Sequence, residues 1–206
     1  MPVVVPANVE SRGQLMWPLD ENRGIWAMAQ VIATEAALFV CLFGSYFYLE
    51  NNKQRWAIDQ PPKLHWAFAC LAVVLVSAFV MWLGERQLNL RNYRAARLLL
   101  LGTLLLGLLF LVFQGFDYSE HWASLTPYSD SYGSIFYAIE SFDALHVIVG
   151  IWILLYVLIL PRYRPVKVSP YRPYRVAAMY WYFVAIVWTV IVGLMYVMPN
   201  VRVYGF

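Results

Sequence analysis

The feature that most limits what this chain can become is a set of five apolar runs, with Lys, Arg and Pro gathered between them. They cover residues about 24–49, 64–84, 97–116, 133–160 and 177–198. A helix needs about 20 apolar residues to cross the hydrocarbon of a bilayer. Inside lipid every backbone N–H and C=O has to be satisfied within the segment, so runs of this length imply α-helices. The expectation is an all-α integral membrane protein: one domain over residues 1–206, built as a bundle of five transmembrane helices. Composition agrees, since 62% of residues are hydrophobic and only 13% charged, with a mean hydropathy of +0.58. Soluble domains lie far from these values.

The charge between the runs orients the bundle. If the chain threads the membrane five times, one side holds Arg12, Arg23, Arg86, Arg91, Arg94, Arg97, Arg162, Arg164, Lys167, Arg172 and Arg175. The other side holds Lys53, Arg55, Lys63 and Arg202. Eleven against four predicts a cytoplasmic amino terminus and a periplasmic carboxyl terminus. The stretch from Asp117 to Tyr132 has acids and no Lys or Arg, as an exported loop allows. The segment PRYRPVKVSPYRPYR is basic and proline-rich, a stiff connector suited to anionic headgroups. The first 24 residues show neither a basic start before an apolar core nor a small-residue cleavage site, so the first span is expected to act as the insertion signal. With no inter-span stretch above about 16 residues, a soluble catalytic domain is not expected. Cys41 and Cys70 both fall in spans at similar depth and are read as buried free thiols rather than a disulfide.

Ionisable groups inside hydrocarbon are costly, and each asks for a partner. Glu35 lies about 16 Å into the first span, near the midplane. The fourth span reads YAIESFDALHVIVG, and its Glu140, Asp143 and His146 recur every three residues on one face. Asp143 lies about 15 Å from the outer surface, so both it and His146 are candidate partners for Glu35. Three readings compete. A di-iron bundle needs two Glu-x-x-His pairs, and this chain has one Glu-x-x-Asp-x-x-His. A bis-histidine haem needs imidazoles at matching depth, whereas His65 is at the outer edge of its span and His146 about 20 Å in. A proton-relay or transport path is the second reading. The third is a buried polar network that joins helices. Gln30, Thr34, Ser45 and Ser77 read as helix–helix contacts, Gly102 and Gly107 as close-packing points, and Gln114 and Asp117 as interfacial caps.

The pattern as a whole resembles the haem-copper oxidase subunit III family, in its five-helix bacterial form. WAMAQVIATEAALFVCLFGSYFYL is similar to the helix that carries the family's intramembrane glutamate, which falls on Glu35. PPKLHWAFACLAVVLVSAF resembles the proline-led helix that follows, and LLLLGTLLLGLLFLVFQGFDY the next, with its ending on Gln114, Asp117 and Tyr118. SIFYAIESFDALHVIVG matches the His-Val motif on His146, Val147 and Gly150. YWYFVAIVW resembles Tyr-Trp-His-Phe-Val-Asp-x-x-Trp on Tyr180, Trp181, Phe183, Val184 and Trp188. Three positions depart: the family's first His of the fourth-span motif is Asp143 here, and its last-span His and Asp are Tyr182 and Ala185. A rewired buried network is the expected result.

The resemblance implies a non-catalytic subunit of a terminal respiratory oxidase, with no metal or cofactor of its own. Haem and copper sit on partner subunits. The chain is expected to pack on subunit I, to assemble with subunit II and the other oxidase subunits, to hold phospholipid, and to support proton uptake and stability. A bacterial inner membrane is the implied location, a respiratory supercomplex is a further implied assembly, and nucleic acid is not an expected partner. The alternatives are an accessory subunit of a quinol oxidase or nitric oxide reductase and, more distantly, a free-standing transporter.

Overall fold

A computed structural model describes residues 23–52, 62–122, 125–128, 130–159 and 171–204. Among these residues the protein is all-helical, with five helices long and apolar enough to cross a membrane. They are α1 (Arg23–Asn52), α2 (Leu64–Asn89), α3 (Tyr93–His121), α4 (Ser131–Ile159) and α5 (Tyr171–Ile191). The fifth continues through a π-helical stretch, Val192–Val197, into α6 (Met198–Tyr204), so that one span runs Arg172–Val203. The basic loop over 161–170, Arg12 and the Lys53–Arg55 turn lie outside the described residues.

The helices outrun the apolar segments that nucleate them, because capping groups carry their ends into the polar flanks. The Asn92 side chain accepts the Ala95 N–H at 3.3 Å and starts α3 four residues before the expected point. Asp130 does the same for α4, accepting the Gly133 N–H at 2.6 Å. Between α2 and α3 the chain turns in three residues, with Arg91 in the left-handed region at φ 56°. So short a connection makes these two helices antiparallel neighbours.

Pro199 shapes the last span. The sequence suggests that the helix ends at 198, but the chain continues helically to Tyr204. Proline has no N–H and its ring crowds the carbonyl four residues back, here Met195. The turn before it has opened into a π-helix, in which the Met198 N–H reaches the Gly193 carbonyl. The Met195 carbonyl, deprived of its usual donor, accepts the Tyr132 hydroxyl at 3.0 Å.

Packing places α5 in the middle, against α1, α2 and α4, while α3 bridges α2 and α4. Trp181 is the keystone of this arrangement. A Cβ on Gly107 of α3 would stand 2.6 Å from the Trp181 ring, and one on Gly150 of α4 would stand 2.9 Å from it. The indole is therefore clamped between two glycines, and its N–H donates to Ser77 Oγ of α2 at 2.9 Å. One side chain thus ties α5 to three other helices. Trp188, also wholly buried, meets Phe110 edge-on at 4.9 Å. Helix α1 is the exception: of its 30 residues only Phe39 and Tyr46 are buried, and Trp26, Val31, Val40, Phe47 and Tyr48 face outward.

Candidate functional site

Two polar groupings lie within the bundle. The first lies about midway along α1 and α4, where His146 Nε2 stands 3.0 Å from Glu35 Oε2. His146 Nδ1 lies 2.6 Å from the Phe142 carbonyl, which only accepts, so Nδ1 carries a hydrogen. Nε2 then either receives a proton from the Glu35 carboxyl or, as imidazolium, donates to its carboxylate. In both cases one proton sits between the two side chains. The His146 side chain is 7% exposed and that of Glu35 35%, so the pair is sealed on the α4 side and open on the flank of α1. Phe39 and Phe183 pack against the imidazole, and the Tyr180 hydroxyl donates to the His146 carbonyl at 3.4 Å.

The second grouping lies closer to the end of the bundle that holds the close of α3 and the start of α4, where these helices and the π-helical stretch converge. The Tyr196 hydroxyl is 2.6 Å from Asp117 Oδ2 and 2.8 Å from Glu140 Oε1. Gln114 donates its side-chain N–H to Glu140 Oε2 at 3.4 Å and to the Glu140 carbonyl at 3.3 Å. His121 accepts the Lys63 backbone N–H on Nε2 at 3.0 Å, which fixes its tautomer. Its Nδ1–H then faces the Asp117 carbonyl at 2.9 Å and Asp117 Oδ2 at 3.3 Å. Asn200 closes the rim by donating to the Pro62 carbonyl at 2.9 Å. The four side chains around the two acids, Tyr196, Gln114, His121 and Asn200, are all buried.

The site residues named from the sequence therefore divide. Glu35 meets His146 but makes no hydrogen bond to Asp143. Three residues turn a helix through about 300°, so Asp143 and His146 point about 60° apart. Asp143 is wholly buried, and neither of its oxygens has a hydrogen-bond partner among the described residues. Gln114 and Asp117 are not interfacial caps: α3 runs on to His121, and both side chains turn into the bundle. Tyr118 touches Ser141 Oγ at 3.3 Å and remains partly exposed. Trp181 and Trp188 are core residues, as described above. At the departures from the motif, Tyr182 donates to Glu85 at 2.8 Å and Ala185 is buried. Cys70 is buried, but Cys41 faces outward, and both are free thiols.

Sequence reasoning missed Tyr196 and His121. The signal for His121 was present, since 114, 117 and 121 are spaced three and four and so share a helix face. For Tyr196 the clue was Pro199, whose disturbance of the preceding turn sets the direction of that side chain. At the same end of the bundle Lys63 Nζ pairs with Glu120 at 2.6 Å and His65 Nε2 with the same carboxylate at 2.9 Å. Among the described residues no three of His, Cys, Asp and Glu converge as a metal ion requires.

The family model for cytochrome c oxidase subunit III matches residues 22–199. The chain belongs to that family. It is 31% identical over 168 residues to cytochrome c oxidase subunit 3 of Artemia franciscana, a match that covers 79% of this chain and 64% of the relative. A probable cytochrome c oxidase subunit 3 of Mycobacterium leprae is 28% identical, with 80% of this chain and 83% of the relative covered. The Synechocystis subunit 3 is also 28% identical, with 81% and 72% covered. The chain thus spans a little under two thirds of the Artemia relative's length and most of the mycobacterial one's. It is a multi-pass membrane protein of the subunit III type.

Proposed function

We propose that this chain is the redox-inactive subunit III of a haem-copper terminal oxidase in a bacterial cytoplasmic membrane. It sits with its amino-terminal side inward, the orientation that eleven basic residues against four favour. It packs laterally on the catalytic subunit I, in a complex that includes subunit II, and binds phospholipid between its helices. Oxygen reduction to water and the proton translocation coupled to it belong to the chains that carry haem and copper. This subunit supports proton uptake and the durability of the catalytic one.

The observation that carries this reading is the family match over 22–199, which takes in four spans whole and most of the fifth. Two features of the chain support it. Its three histidines are each engaged inside the chain, His65 with Glu120, His121 with Lys63 and Asp117, and His146 with Glu35. None is left over as an obvious axial ligand. The outward side of α1 is mostly apolar, with Trp26, Val40, Phe47 and Tyr48 exposed, and the hydroxyls of the exposed Thr34 and Ser45 are turned back onto carbonyls of their own helix, which suits a surface that meets lipid or another membrane helix.

Gentle detergent extraction of tagged chain from its native membrane tests the proposal. Co-purification of larger subunits and haem bands in the visible spectrum are expected. Recovery of the chain alone and colourless, from membranes whose oxidase is intact, overturns it.

A further inference from the structure

Tyr196 has one hydroxyl hydrogen and two carboxylate oxygens within 2.6 and 2.8 Å of it. Both contacts are too short to be anything but hydrogen bonds. One hydrogen cannot make two of them, so a second has to come from one of the acids. We propose that Asp117, Tyr196 and Glu140 form a proton-binding site, in which one proton rests on Glu140 Oε1 and is donated to the Tyr196 oxygen.

The arrangement of donors decides which acid holds it. Asp117 Oδ2 receives the Tyr196 hydroxyl and faces the Nδ1–H of His121, two donors that favour the ionised form. Glu140 receives only the long contact from Gln114 at 3.4 Å. The hydrogens then run in one direction, from Glu140 through Tyr196 to Asp117, and the trio carries a single negative charge. His121 orients this chain but does not extend it outward, because its Nε2 is occupied by the Lys63 N–H.

An independent observation points the same way. Asp143, three residues along α4, is wholly buried, and among the described residues neither of its oxygens has a donor. Asp117 Oδ1 and Gln114 Oε1 also have no hydrogen-bond partner there, so among the described residues four buried acceptor oxygens go without a donor around this cluster. So many acceptors cannot be accompanied by three negative charges in hydrocarbon. Among the described residues, the groups that face Glu140 offer no cation to offset it. From α2 comes Cys70, and from α3 come Asp117, Tyr118 and His121. Its own helix supplies Tyr132, Tyr137 and Asp143, and the last span Tyr196. Among these only His121 has a cationic form, and it is used as an acceptor at Nε2. Asp143 accordingly holds a proton of its own.

The π-helical stretch is what makes the site. It carries Tyr196 and relieves the crowding from Pro199, and together they aim the phenol between the two acids. This inference stands on the geometry of the chain alone and does not depend on the oxidase reading.

Infrared spectroscopy of the full-length chain in its purified complex, or in detergent if it purifies alone, reads carboxylic C=O stretches directly. At neutral pH the wild type is expected to show a hydrogen-bonded acid band that disappears in Glu140→Gln and moves to the position of a free acid in Tyr196→Phe. A second band, from an acid without a hydrogen bond, is expected to vanish in Asp143→Asn. If the Gln variant does not fold, carboxyl-labelled glutamate in a Glu35→Gln background gives the same information, because the band shifts on labelling. An acid region left unchanged by Glu140→Gln, or indifferent to glutamate labelling, overturns the proposal.

Discussion

The midplane pair and the outer cluster meet the same difficulty, acids in hydrocarbon, in opposite ways. Glu35 and His146 come from two helices, share one proton and leave the acid a third exposed along the flank of α1. Asp117 and Glu140 are closed in by residues from α2, α3, α4 and the last span, with Tyr196 between them. One is a clasp between two helices, and the other is a junction. A clasp on a weakly packed helix controls how that helix sits, whereas a junction controls whether the bundle closes.

The largest effect is expected where both depend on one residue. Trp181→Ala removes the indole that fills the space against Gly107 and Gly150, and strips Ser77 of its donor. Truncation of a buried Trp costs about 3–5 kcal/mol. Both polar regions should loosen together, seen as loss of monodisperse protein after detergent extraction. A variant that extracts as well as the wild type would mean that the clamp is not what joins the four helices.

Tyr196→Phe separates the two regions. It removes both short contacts and leaves two buried acids facing each other, for about 2 kcal/mol. Tyr180→Phe, the comparable change near His146, loses only a 3.4 Å contact to a carbonyl. It should move the thermal midpoint far less. Equal effects would erase the distinction between junction and clasp.

How much of this was legible beforehand follows from the length scale of each signal. The five spans were, because about 20 consecutive apolar residues leave little else to form. Their ends were not, because Asn92, Asp130 and Pro199 act through single hydrogen bonds or a single ring, which hydropathy does not register. Depth alone put Glu35 within reach of two groups on the fourth span, Asp143 and His146. Asp143 was an equal candidate until the rotation of α4 was known, and rotation is set by packing against neighbours. The outer junction was hidden for a different reason: Gln114 and Asp117 fall at the boundary of an apolar run, where a polar residue usually meets water. Only the continuation of α3 to His121 turns that boundary into an interior.

The clasp can be tested on its own. With Nδ1 of His146 bound to a carbonyl, Nε2 of the neutral ring is an acceptor, and a Gln at 35 can donate to it. Glu35→Gln is therefore expected to assemble almost normally. Glu35→Leu leaves Nε2 without a partner and should cost about 1 kcal/mol, the scale of interhelical hydrogen bonds measured in membranes. Its effect should concentrate on α1, detectable as faster proteolysis or hydrogen exchange there while α3 and α4 stay protected. If Gln and Leu are equally damaging, the pair needs a charge rather than a hydrogen bond.

The smallest expected effect sharpens the junction at its rim. Lys63 contributes in two ways: its ammonium pairs with Glu120 at the surface, and its backbone N–H holds His121. Lys63→Ala removes the first and keeps the second. Exposed ion pairs contribute little, so no measurable change in the thermal midpoint is expected. Lys63→Pro removes both, yet fits the backbone, since the native φ of −68° lies where proline is fixed. Its cost is then the lost N–H alone, about 0.5–1 kcal/mol. That loss frees Nε2 of His121 and lets the ring change tautomer, which weakens its hold on Asp117. A Pro variant as stable as the Ala variant would show that His121 is held by its packing and not by the start of α2.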